Sequence, residues 1–117
     1  MNVLLEIHQV VAFLAVLCAI IFSWNANGRR VVNAVVALQL LLGLAVAGVM
    51  GAQHLGQPPM LWLHILIAIA VLAAYGLAMR FGKQAGGASR ALAFSILGLV
   101  LVVANVYLGL RLAGMLP

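Results

Sequence analysis

Four ionisable residues within otherwise apolar segments could do chemistry, Glu6, His8, His64 and Arg111, with Gln39 and Asn105 as amides beside them. An ionisable group in such a segment is costly to keep, so each is a functional candidate by default. The chemistry open to them is limited. Neutral imidazoles from His8 and His64 can ligate a metal, and the guanidinium of Arg111 can pair with a carboxylate or phosphate. The chain has a single acid, Glu6, so no carboxylate pair exists, and no nucleophile stands with a base. No catalytic residue is assigned, and whether the chain is an enzyme is left open. Each candidate also has a plain reading. His8 can bond Glu6 or a backbone carbonyl, His64 can belong with Trp62 to an interfacial anchor, and Arg111 can snorkel outward. What favours chemistry is their common depth, which depends on the elements that carry them.

Those elements follow from composition. The 117 residues are 68% hydrophobic and 6% charged, against about 25% charged in soluble domains. Such a chain cannot cover its own surface with polar groups and needs lipid to do it. A bilayer core of about 30 Å requires about 20 apolar residues in helix. Four stretches qualify, over 3–24, 31–52, 60–79 and 91–116, in one domain. Turn chemistry separates them: Asn25-Ala26-Asn27-Gly28, then Gly56-Gln57-Pro58-Pro59, then 82–89 with Gly86-Gly87. Short connections make neighbours antiparallel, so the expectation is an all-α membrane protein, an up-down four-helix transmembrane bundle.

Arg29 and Arg30 are read as lying in the first loop, and Arg80, Lys83 and Arg90 at the third, while 53–59 has no basic residue. The positive-inside rule then places loops one and three in the cytoplasm and both termini outside. The net charge of +5 is therefore a topology signal. It makes no patch for nucleic acid, and none is expected as a partner. The N-terminus lacks a basic region before its apolar run, so the first segment is expected to stay as a spanning helix. Cys18 has no cysteine to pair with and reads as inert packing. The expected location is the cell membrane of a bacterium or archaeon.

Depth now brings the candidates together. His8 lies about 8 Å inside the outer end of the first span at about 1.5 Å per residue. His64 lies four residues past Met60, and Arg111 about five before the outer end of the last span, so all three share a level. Two imidazoles from facing helices suit the axial positions of a haem. Ala12 and Ala68, one turn below each histidine, would leave room for a flat ring, and Arg111 could pair with the propionates. Tyr107 lies one turn deeper on the same face as Arg111. Gly43, Ala47 and Gly51 form a small-residue stripe that permits close approach. Leu5-Glu6-Ile7-His8 and Leu61-Trp62-Leu63-His64 echo each other, as two similar hairpins would.

The residues Glu6-Ile7-His8-Gln9, Gln39-Leu-Leu-Leu-Gly43 and Leu63-His64 through Ala68 resemble the haem A synthase family and related small membrane cytochromes, which are built from four-helix halves. The resemblance covers about residues 5 to 75. It implies a haem held by His8 and His64 near the outer face. The departures are specific. Glu6 stands two residues before His8 where the family has three, Gln9 replaces the family's arginine, and the outer-loop acid and cysteine pair are absent. Methyl-oxidising activity is therefore not carried over.

The function expected is that of a b-type haem (or other haem) protein in electron transfer or a haem-related role, as a homodimer or a subunit of a larger respiratory complex. Two alternatives stand beside it. One is a cofactor-free structural subunit of a membrane complex. The other is outer-face copper binding, since Met50, His54, Met60, His64 and Met115 lie near that side and thioethers with imidazole suit Cu(I).

Overall fold

A computed structural model of the chain describes residues 3–50, 58–112 and 114. Four helices account for nearly all of them: α1 (Val3–Phe22), α2 (Ala26–Met50), α3 (Pro58–Gly82) and α4 (Ala88–Leu112). At about 1.5 Å per residue, 25 residues give about 37 Å, ample for a hydrocarbon core of about 30 Å. All four are long and apolar enough to cross a membrane. Their outward faces carry large apolar side chains, among them Leu17, Ile21, Leu41, Leu66 and Val100, each more than half exposed. Water would not tolerate such a continuous surface, and lipid covers it at no cost. The chain is a multi-pass membrane protein folded as an all-α four-helix bundle.

Each helix packs on its neighbours in the ring α1–α2–α3–α4, most closely within the hairpins α1–α2 and α3–α4 and least between α1 and α4. The start of α1 lies against the end of α2, where His8 meets Gly43, and the start of α3 against the end of α4, where His64 meets Gly109. The helices therefore alternate in direction, and α1 and α3 stand on a diagonal. We call the two ends of the bundle the histidine end and the basic end.

The helix bounds differ from the sequence expectation at the basic end. α2 begins at Ala26, about a turn and a half earlier than expected, so Arg29 and Arg30 belong to a helix and not to a loop. The cause is Asn25. Its side-chain Oδ1 accepts the Gly28 N–H at 2.7 Å and its carbonyl accepts the Arg29 N–H at 2.9 Å, which makes the expected turn residue an N-cap. Each basic-end turn also needs a glycine for close approach. A Cβ on Gly28 would strike the carbonyl oxygen of Phe22, and one on Gly87 the carbonyl oxygen of Phe81. α3 runs three residues beyond its expected end to Gly82, and Gly86 then turns the chain at φ 74°.

Two apolar clusters bracket the middle of the bundle. The larger joins Ala15, Ala19, Val32, Val36, Val71, Tyr75 and Val102 toward the basic end, with half-buried Cys18 packed on it as filler. The smaller, Val46 and Leu61, closes the histidine end with Leu4, Leu5, Ile65 and Leu112 around it. Tyr75 is fully buried, and Gly98 lets its ring approach α4 closely.

Candidate functional site

Between these clusters the packing opens into a cavity walled by all four helices. It holds about 90 Å³ on the measure by which one water needs about 10–15 Å³. Bundle cores are ordinarily packed without such voids. Ala12 and Ala68 line it, so the small residues one turn below each histidine do create space.

His8 and His64 face each other across the cavity from the diagonal helices. Their ring centroids are 6.4 Å apart and the planes stand at 79°. Two imidazoles bound through one nitrogen each to opposite sides of a metal ion stand about 6 Å apart, taking about 2 Å per metal–nitrogen bond and about 1.1 Å from nitrogen to ring centre. The observed separation is compatible with that requirement and equally with an edge-to-face contact between the two rings. Among the described residues, no three of His, Cys, Asp and Glu cluster. A metal held here by two imidazoles would have to bring its remaining ligands with it.

The two histidines are held in matching ways. His8 rests on Gly43 of α2, whose Cβ would come to 3.0 Å from Cε1 of the ring. His64 rests on Gly109 of α4 at the same 3.0 Å. A Cβ at either position would be a tight contact that its ring could meet only by shifting. Beside each glycine, one turn earlier, stands an amide. The Nδ1–H of His64 donates to Asn105 Oδ1 at 2.8 Å, which leaves Nε2 with its lone pair. Gln39 lies within interaction range of His8, but His8 Nδ1 and Gln39 Oε1 form no hydrogen bond of proper geometry. The arrangement is thus amide-x-x-x-Gly behind each histidine, closed in one hairpin and open in the other.

The remaining expected site residues are placed differently. Arg111 is exposed at the histidine end with its guanidinium 6.0 Å from the centre of the Tyr107 ring, and it does not line the cavity. Its depth is as expected, but six residues from Asn105 turn it through about 240°, onto another face of α4. Glu6 is exposed, and Trp62 points outward as an interfacial anchor would. His54 and Met115, like Gly51, lie outside the described residues, and so does the side chain of Met50.

A second polar group went unsuspected in the sequence. Near the basic end, Arg29 is 8% exposed. Its Nε–H is shared between the Ser23 carbonyl at 3.0 Å and Ser95 Oγ at 2.7 Å. Ser95 Oγ donates in turn to the Ala91 carbonyl. Ser23 Oγ donates to the Ala19 carbonyl and accepts from the Tyr75 hydroxyl at 2.7 Å. No protein-family model, no curated protein and no solved structure matches this chain.

Proposed function

We propose that this chain is a membrane b-type haem protein with His8 and His64 as axial ligands, serving electron transfer near one membrane face. The observation that carries the reading is the pair of diagonal imidazoles at 6.4 Å, each backed by a glycine and an amide, at the wall of a cavity in an otherwise packed core. A porphyrin brings four in-plane ligands, which answers the lack of any third protein ligand among the described residues.

When bound, haem supplies a one-electron ferric/ferrous couple. The residues of the chain do the rest. Gly43 and Gly109 support the two rings, and Asn105 holds the proton of His64 on Nδ1, which would leave Nε2 free to bind the iron. Gln39 lies beside His8 but makes no hydrogen bond to its Nδ1. The apolar walls from Val36, Val71 and Val102 keep water from the ligand bonds. Pairing of Arg111 with the propionates belongs to this reading through its depth alone. The basic end would face the cytoplasm and the histidine end the outside of a bacterial or archaeal cell. Electrons would pass to a second copy or to a larger respiratory complex, and distant kinship with the halves of haem A synthases is part of the same proposal.

The test is a dithionite-reduced minus air-oxidised spectrum of the detergent-purified chain, with pyridine haemochrome quantitation. A sharp reduced α-band at one haem per chain is expected, lost in both His8→Ala and His64→Ala. A colourless, intact wild type would refute the reading and favour a structural subunit without cofactor. Retained haem in both variants would refute the ligand assignment.

A further inference from the structure

The only acid in the sequence, Glu6, stands near the start of α1 at the histidine end. The buried guanidinium of Arg29 lies at the other end of a bundle 48 Å long, with no carboxylate to meet it. The Ser95 hydroxyl and the Ser23 carbonyl take up its Nε–H, but its two η nitrogens make no hydrogen bond among the described residues. A buried charge without a counter-charge is expensive to maintain. The sequence could have spared that cost with a neutral residue, since Arg30 beside it already supplies a topology signal.

The η nitrogens are not sealed in. Arg29 lines a pocket of about 90 Å³ with Ala26, Arg30, Met79, Gly82 and Lys83. Three of these six residues are cations and none is an acid. Gly82 lies beside the guanidinium, where a Cβ would come into van der Waals contact with Arg29 Nη1 at 3.5 Å. The first turn of α2 adds the positive end of a helix dipole beside Ala26. A forked guanidinium flanked by a second arginine and a lysine suits an oxyanion that accepts several charge-assisted hydrogen bonds.

We propose that this pocket binds the phosphate of an anionic ligand, with the headgroup of an acidic phospholipid as the form it is placed to meet. The pocket lies where apolar helices give way to polar turns, the level of lipid headgroups, and basic pockets between helix ends take such groups. The site is independent of the haem reading, because it lies beyond the core cluster built on Tyr75 and shares no residue with the cavity.

The experiment compares binding of the full chain to phosphatidylcholine nanodiscs with and without phosphatidylglycerol. Native mass spectrometry counts the retained lipid, and inorganic phosphate serves as a separate competitor. Two charge-matched double variants decide the matter. Arg30→Gln with Lys83→Gln removes two exposed cations from the pocket. Arg80→Gln with Arg90→Gln removes two exposed cations from the same end but outside the pocket. One retained phosphatidylglycerol per chain is expected. Its affinity should fall about tenfold further in the pocket variant than in the control. Displacement by inorganic phosphate at comparable affinity would keep the phosphate site and assign it to a soluble anion. Equal losses in the two variants, or no preference for phosphatidylglycerol, would overturn the proposal.

Discussion

The hydrogen bond from His64 to Asn105 gives the sharpest test of how the two ligands are held. In Asn105→Ala the Nδ1–H of His64 loses its acceptor at a part-buried position. A buried donor left unsatisfied costs about 1–3 kcal/mol of fold stability. The ring also becomes free to rotate or to change tautomer, and partners behind a metal-bound histidine contribute about 10–100-fold to metal affinity. Haem affinity of Asn105→Ala should therefore fall at least about tenfold, or about 1.4 kcal/mol. Gln39→Ala is the internal control. His8 Nδ1 has no hydrogen bond to lose, so the loss there should stay within about threefold, well under the worth of one hydrogen bond to a charged or metal-bound group. The assay is haem titration of apo-protein in detergent, followed at the absorption maximum, with thermal unfolding of both apo-variants alongside. Equal losses in the two variants, or no loss in Asn105→Ala while His64→Ala abolishes binding, would refute the role given to Asn105.

Three further outcomes follow from the packing. Gly109→Leu should drive the His64 ring into the cavity and abolish haem binding in a folded protein, while Gly48→Leu, which meets no atom within 4 Å, should bind haem normally in the same titration. In Gly98→Ala the new Cβ would stand 2.6 Å from Tyr75 Cε2, so unfolding in detergent should show a loss of about 1–3 kcal/mol, as overpacked cores do. Asn25→Ala removes the cap of α2 and should cost about 0.5–2 kcal/mol by the same measurement.

Much of the bundle was legible from residue types alone. Runs of apolar residues near bilayer length leave few alternatives to spanning helices, and Pro or Gly at each break made the hairpins plain. The level of His8 and His64 was legible because depth along a helix is a count of residues. Rotation about the helix axis was not. Arg111 lies at the level of the histidines but is not among the residues that line the cavity, and Arg29 and Arg30 differ by one residue yet one is buried and the other exposed. The partner that buries Arg29, Ser95, is 66 residues away, and no local pattern announces it. Gly109 escaped notice because it sits among apolar neighbours. The spacing that could have found it was present as Gln39-Leu-Leu-Leu-Gly43 and Asn105-Val-Tyr-Leu-Gly109, an amide four residues before a glycine in both returning helices. The helix start at Ala26 was hidden by Asn25, which caps a helix as readily as it makes a turn.

The division of labour between the hairpins also bears on how the molecule comes together. Each hairpin carries one histidine with its own supporting glycine and amide, so each can finish its half of the site before it meets the other. Contacts within a hairpin join segments close in sequence and should form early, whereas the looser seams between hairpins close late. The central space would then be open to a large, flat guest during biogenesis and shut afterwards. A guest gripped from both sides would act as a rivet between the hairpins, so the filled protein should come apart far more slowly than the empty one.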